Sequence, residues 1–268
     1  MKQIILFFGL LLLWTSCKKD SNKQKEILLG GVITNGAANT RIHYAADNKM
    51  DRFESYNGNA LTAYLTVQYD ASGYISEISS KIMPGDIPAV RILMLCDGQG
   101  RVTNATNYDL LGPVPNTPVS VAVYTYNAEA RLSKVVRKDD KNKLLSSISF
   151  LYFPDGNLKE MQTYKEADNK LWLSEKTIYS VPSGFYPKGV DQLRTILGPD
   201  FTASLFSESI QIYSYDQNGG TLTHKSRLMS GREFNEDGSL KKQVETFTSI
   251  KPPQPDVVSN KGYEYVLQ

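Results

Sequence analysis

The side chains that most often carry catalysis are scarce in this chain. It has two histidines, His43 and His224, and two cysteines, Cys17 and Cys96. The histidines lie far apart and neither sits at a metal-ligand spacing. A serine nucleophile needs a positioned base. No nucleophile elbow and no phosphate-cradling glycine loop occurs. Carboxylates are plentiful, but Asp139-Asp140 in RKDDKNK (137–143), and Glu166 with Asp168, read as solvated hairpin tips. A glycoside hydrolase needs two carboxylates facing one cleft, and spacing along the chain does not pair these. Three aromatics, Trp172, Phe185 and Tyr186, lie in or near an irregular stretch and could stack on sugar rings. Core packing is the competing reading, and Trp172 between Leu171 and Leu173 suits it. No metal site and no cofactor is read from these residues.

Composition narrows the class further. The 268 residues carry 30 Lys+Arg against 28 Asp+Glu, a formal charge of +2 that makes no electrostatic case for nucleic acid. With 41% hydrophobic and 22% charged residues the chain is globular and long enough to bury a core. Sixteen Tyr and ten Phe favour strands.

The start of the chain is MKQIILFFGLLLLWTSCKKD. Lys2 precedes an apolar run of eleven residues, 4 to 14, too short for a membrane span of about 20 residues and suited to a signal peptide. Small residues Thr15 and Ser16 stand directly before Cys17, which resembles the lipobox of bacterial lipoproteins; Trp14 departs from the residue usual there. The resemblance implies residues 1–16 as signal peptide, a diacylated Cys17, and a membrane partner reached through that lipid. The competing reading is an ordinary secretory signal. Residues 18–26, KKDSNKQKE, read as a tether. Cys96 is then the remaining thiol, with a buried, inert role.

Residues 27–268 read as one domain with an internal repeat. YDASGYISEI (69–78), CDGQGRVTNA (96–105), YNAEARLSKV (126–135) and FNEDGSLKKQ (234–243) follow one form, an aromatic, Asp or Asn, two variable residues, Gly, one variable residue and an aliphatic, with Cys96 in the aromatic slot and Ala130 in the glycine slot. YAADNKMDRF (44–53) and YDQNGGTL (215–222) fit more loosely, and FPDGNLKEM (153–161) fits with one residue removed from the turn. The aromatic ends a strand, Asp or Asn opens the turn, Gly takes positive φ, and the aliphatic starts the returning strand. Asp70, Gly73, Asp97, Gly100, Asn127, Gly156, Asp216, Gly219, Asn235 and Gly238 are thereby turn residues. Ala130, in a glycine slot, should be strained.

The pattern resembles the tyrosine–aspartate (YD) repeats of Rhs and teneurin shells, and the small YD-like lipoproteins of Bacteroidetes, over most of residues 40–245. The resemblance implies consecutive antiparallel hairpins in an all-β rolled or curved sheet, with no catalytic residue. A short helix is expected over 190–197, where Val190, Leu193 and Leu197 share a face before Gly198-Pro199. The function expected is a lipid-anchored envelope protein, on the outer membrane, with a non-enzymatic binding or structural role toward a glycan or another envelope protein. The alternative is a glycan hydrolase with a carboxylate pair in a loop-built cleft.

Overall fold

The computed structural model describes residues 27–113, 116–168, 170–180, 203, 207–216, 221–236 and 239–267. Sixteen strands follow one another: β1 Ile27–Thr34, β2 Ala37–Tyr44, β3 Met50–Asn57, β4 Ala60–Tyr69, β5 Ile75–Ile82, β6 Ile87–Cys96, β7 Val102–Asp109 and β8 Pro118–Tyr126. Then come β9 Leu132–Asp139, β10 Leu144–Tyr152, β11 Leu158–Ala167, β12 Lys170–Tyr179, β13 Ser209–Tyr215, β14 Leu222–Phe234, β15 Leu240–Lys251 and β16 Val257–Leu267. Each pairs antiparallel with its chain neighbours. β1 also pairs with β16, Val32 opposite Tyr263, which closes a barrel.

This corrects the expected architecture. The all-β hairpin order holds, but the sheet is a closed sixteen-stranded barrel and not a rolled or curved sheet with one short helix. Residues 190–197, where that helix was expected, lie outside the described residues. Closure is invisible to a local motif because it joins opposite ends of the chain. Asn35 and Asn260 clasp there: the Asn35 amide donates to the Asn260 carbonyl at 2.7 Å, and the Asn260 amide donates to Asn35 Oδ1 at 2.8 Å. Closing the ladder removes both exposed edges.

The up-and-down order sorts the turns onto two rims. Turns 45–49, 70–74, 97–101, 127–131, 153–157 and 235–239 all lie on one rim, the repeat rim, because each copy is an even number of strands from the last. The copy at 215–222 joins β13 to β14 and falls on the opposite, far rim. Its closing bond, Asp216 amide to Thr221 carbonyl, spans one residue more than the others.

The repeat-rim turns share one bonding scheme. The first residue's amide donates to the fifth residue's carbonyl: Ala45 to Lys49, Asp70 to Tyr74, Asp97 to Arg101, Asn127 to Arg131, Phe153 to Asn157 and Asn235 to Ser239, at 2.8–2.9 Å. The 153–157 turn therefore has full length, and Tyr152, not Phe153, stands in the aromatic slot. Asp70 Oδ1 accepts from the amides of Ser72 and Tyr74, and Asp97 Oδ1 from those of Gln99 and Arg101. Asn127 Oδ1 accepts from the Arg131 amide. Gly73, Gly100 and Gly156 take positive φ, as do Asn48 (64°) and Ala130 (60°). Gly219 and Gly238 lie outside the described residues.

Each copy is also laced to the one before it. The hydrogen-bonded ladder between β3 and β4 stops at Arg52–Thr66, two residues short of Met50. The Tyr69 hydroxyl takes over, donating to the Met50 carbonyl at 2.7 Å. The same bond runs from Tyr44 to Leu29, Tyr126 to Val102 and Tyr152 to Leu132, at 2.7–2.8 Å. The Cys96 thiol makes its weaker equivalent to Ile75 at 3.4 Å. These hydroxyls satisfy strand-end carbonyls that burial would otherwise leave unpaired. A second lace runs along the rim: Lys49 covers Gly73, Tyr74 covers Gly100 and Arg131 covers Gly156. At Gly100 an added Cβ would stand 2.7 Å from the Tyr74 ring.

The barrel has two unlike halves inside. Near the repeat rim the inner side chains form two apolar clusters. One includes Leu29, Ile42, Met50, Phe53, Val67, Ile78, Met94 and Leu240; the other is built on Phe150, Leu158, Tyr179 and Ile210. Toward the far rim the inner rows turn polar, as in Asn107–Ser120–Asp139 and Thr163–Glu175–Ser214–His224. Near the closure Gln243 is fully buried, donating to Ser230 and Glu245, and Lys261 pairs with Glu245 at 2.7 Å. The outer wall carries charge through mid-strand, as in the rows His43–Arg52–Thr66–Ser79–Arg91 and Lys134–Ser149–Gln162–Lys176–Tyr213–Lys225. There Arg52 lies 3.9 Å over the Tyr64 ring and 2.8 Å from Glu54, which also meets His43 at 3.1 Å.

Two outcomes follow from the laced turns. Ala130→Gly should stabilise the barrel by about 1 kcal/mol, because it relieves a positive φ that costs an L-residue about that much. Gly100→Ala should cost about 1–3 kcal/mol through overpacking against Tyr74 as well as backbone strain; urea midpoints measure both. Alkali tests the tyrosine stitches. Burial pushes the phenols of Tyr69 and Tyr126 up to about 12, with nearby Asp47 and Asp51 adding to the effect at Tyr69 and neighbouring groups at Tyr126. The folded protein therefore holds protons that the unfolded chain releases near pH 10. Their stabilisation is complete below pH 10 and is lost as pH rises toward 12. Tyr126→Phe should lower stability at pH 8 by about 1–2 kcal/mol and flatten the decline of the urea midpoint between pH 10 and pH 12.

Candidate ligand-binding site

On β11, residues Thr163, Lys165 and Ala167 alternate onto one face. Thr163 lies in register with Ile148, which packs on the second apolar cluster, so this face is the inner one. Across the ladder Lys165 meets Trp172 and Thr163 meets Glu175, and Glu175 meets Ser214 of β13. A register shift at Thr163/Tyr164 makes room for Ser174, whose hydroxyl donates to the Thr163 carbonyl at 3.0 Å. The bulge re-aims the wall locally.

These residues line a cavity of about 730 Å³, together with Glu166, Ala167, Tyr215 and Asp216. Ala167 ends β11 and Asp216 directly follows the end of β13, so the mouth lies at the far rim. The Trp172 indole N–H donates to the Ala167 carbonyl at 3.3 Å, which ties the ring to the end of β11. Glu166 pairs with Lys143 at 3.3 Å and joins this wall to the tip of the β9–β10 hairpin. That tip, 139–143, uses the bonding scheme of the repeat turns: the Asp139 amide donates to the Lys143 carbonyl, and Asp139 Oδ1 accepts from the Lys141 and Lys143 amides. The lining offers two aromatics, Trp172 and Tyr215, one ammonium, three carboxylates and several hydroxyls. That set can hydrogen-bond a polyol while an apolar ring face contacts it.

Of the three aromatics singled out from the sequence, Trp172 lines this cavity; Phe185 and Tyr186 lie outside the described residues, as does Cys17. Asp70, Gly73, Asp97, Gly100, Asn127, Gly156 and Asn235 stand in turns on the repeat rim, away from the cavity. Asp216 belongs to a far-rim turn and to the cavity lining at once. Asp168 lies at the β11–β12 tip with φ 54°. Thr163, Lys165, Glu175 and Ser214 were not singled out. Their alternation was readable, but which face is the inside depends on closure. His224 joins them only through the register opposite Ser214.

No protein-family model matches the chain, and no curated protein matches it. Solved structures do. A porin-like protein from Bacteroides uniformis is 12% identical, with 90% of this chain and 94% of that one covered, at a TM-score of 0.52. A porin-like protein from Bacteroides vulgatus is 12% identical over 89% of this chain and 98% of its own, at a TM-score of 0.49. A chain of TcdB2-TccC3-TEV is 11% identical over 81% of this chain and 13% of its own, at a TM-score of 0.32. The first of these likenesses shows a shared fold.

Cys96 lies half-buried on the inner side of β6, with burial foremost, then the charges of Asp70 and Asp97, raising its thiol pKa. Little thiolate forms at neutral pH, and thiolate is the reactive species. Folded protein should react with iodoacetamide at pH 8 more slowly than glutathione does, and urea should bring the rate up to that of the model thiol. Equal rates before unfolding would show an open, activated cysteine.

Proposed function

We propose that this chain is a lipid-anchored envelope protein of the YD-repeat-like kind whose far-rim cavity binds a glycan without cleaving it. The observation that carries this reading is Trp172 set among Thr163, Lys165, Ser174, Glu175, Ser214 and Asp216 around about 730 Å³. That volume lies within the range of small-ligand sites, roughly 300–1,000 Å³. The repeat motif and the lipobox-like Thr15-Ser16-Cys17 support the family and the anchor. The porin-like likeness at a TM-score of 0.52 supports an envelope setting through the shared barrel.

The outer wall argues for a barrel that stands in water. A strand barrel that crosses a bilayer turns an apolar band about 25 Å tall toward lipid. Here Arg52, Arg91, Lys134, Lys176 and Lys225 interrupt the outward rows at mid-strand. Leu95, Val119, Val123 and Leu151 are outward and exposed, but Lys134 and Lys138 stand among them. No helix among the described residues is long and apolar enough to cross a membrane. The lipid on Cys17 then supplies the membrane attachment that the wall does not.

A second reading, hydrolysis of the glycan, draws on Glu175 and Asp216 lining the same cavity. One experiment separates the two. The mature chain carrying Cys17→Ala is screened by thermal shift against polysaccharides and host glycans. A ligand well above its dissociation constant should raise the midpoint by mass action. Trp172→Ala should abolish the shift while leaving the ligand-free midpoint near that of the parent. Release of reducing ends on incubation, lost in Glu175→Gln, would favour the hydrolase. No shift with any glycan would overturn the binding reading.

A further inference from the structure

We infer that the outer wall of β5–β9 is the interface of a weak two-fold dimer, its occupant a second copy of this chain. The strand ladders place Glu77, Leu93, Thr106, Val121 and Lys138 in one cross-strand row. Met94, Ala105 and Ala122, one residue away on β6, β7 and β8, belong to the apolar core. Alternation therefore points Leu93, Thr106 and Val121 outward. The adjoining row toward the repeat rim is Leu95, Asn104, Val123 and Val136. Leu95 is 66% exposed and Val123 39%. Between Glu77 and Lys138 neither row carries a charge, and an uncharged apolar patch bounded by charge marks a contact surface.

The first row reads acid, apolar, threonine, apolar, base. It is self-complementary, as a two-fold interface requires. A two-fold axis lying in the interface along β7 turns the row end for end. Thr106 then meets Thr106 of the second copy, Leu93 meets Val121, Leu95 meets Val123, and Glu77 meets Lys138. An axis running across the strands would set Glu77 against Glu77 and Lys138 against Lys138, so the charges select the first. Glu77 accepts from the Ser79 hydroxyl at 2.6 Å and Lys138 donates to Asn142 Oδ1 at 2.9 Å, but neither has an ion pair among the described residues. The two convex walls curve apart away from the axis, and the row carries its longest side chains at that margin. The nearest other cations meet no like charge. Arg91, held over the Tyr108 ring at 4.7 Å, falls opposite Pro118 and Val119 of the second copy. Lys134 falls opposite its 70–74 turn, where Asp70 stands.

The patch is small. Four strand intervals of about 4.8 Å by about six residues make about 400 Å² of wall per copy. Two copies together cover about 800 Å², below the roughly 1,200–2,000 Å² of tight complexes, so the dimer is weak and reversible.

The test uses the full-length chain in phosphatidylcholine vesicles, in a Cys96→Ala background. Thr106→Cys stands on the axis, so a short bis-maleimide should join it to its own copy. Ser149→Cys, outward on β10 and off the axis, is the comparison. Dimer yield should be about fivefold or more higher from position 106, since only a residue on the axis faces itself. Added to Thr106→Cys, Glu77→Lys alone and Lys138→Glu alone should each lower the yield about threefold or more, because each sets like charges together twice. The two exchanges combined should restore it. Equal yields from 106 and 149, or no recovery in the combined exchange, overturn the inference. If an exchange loses the parental thermal midpoint, Leu95→Ser replaces it and should lower the yield in the same way; an unchanged yield overturns the inference. A wall that meets lipid instead would leave position 106 unjoined and hold Cys17→Ala on vesicles until Leu95→Ser releases it, and that result also overturns the dimer.

Discussion

The barrel depends on how it treats the carbonyls at the start of each returning strand. Every repeat turn carries a register shift at its base, and the ladder to the next hairpin ends two residues short. Leu29, Met50, Ile75, Val102 and Leu132 thus present carbonyls in a largely buried zone with no strand partner on that side. Four tyrosine hydroxyls and one thiol fill these positions. The aromatic of the repeat is therefore more than buried area. Its ring packs in the core layer while its oxygen extends the hydrogen-bonded ladder by one more bond, and each copy is tied to its predecessor.

This lacing accounts for the contrast between the two ends of the barrel. The repeat rim is stitched by tyrosines below and by Lys49, Tyr74 and Arg131 above, and it holds the apolar clusters. The far rim has hairpins of several types, and among the described residues it shows no such stitching. Sixteen strands enclose more space than one ring of side chains can fill, so the unstitched half is free to keep a polar hollow. The cavity beside Trp172 occupies that half, where the bulge at Ser174 and the Lys143–Glu166 pair shape the wall without needing the repeat.

Some of this was legible in the residues. The hairpins, the turn chemistry of Asp70, Asp97 and Asn127, and the awkward position of Ala130 follow from local rules, because turn geometry is decided within five residues. The frame of the 153–157 copy was harder. Asp155 sits two places later than the other turn aspartates, and it takes the Phe153–Asn157 bond and the Tyr152 hydroxyl bond to Leu132 to identify Tyr152 as the stitching residue. The phase of the 215–222 copy was harder still, since rim assignment requires counting every strand between β11 and β13. Trp172 could be noticed as an aromatic outside the regular slots. Lys165, Glu175 and Ser214 could not, because in a strand a polar residue on the inner face looks the same as one on the outer face.

The sequence by itself determined the local unit: aromatic, turn acid, glycine, aliphatic, repeated at a spacing that makes hairpins. Each of those preferences is set by backbone dihedrals and side-chain bonds within a few residues, so no distant contact can change it. Closure, and with it inside and outside, was decided only by the tertiary structure. The pairing of β1 with β16 joins residues at opposite ends of the chain, and its geometry depends on the summed twist and shear of all the strands between them. Until that pair forms, no strand has an inner face, and the residues around the cavity have no common side.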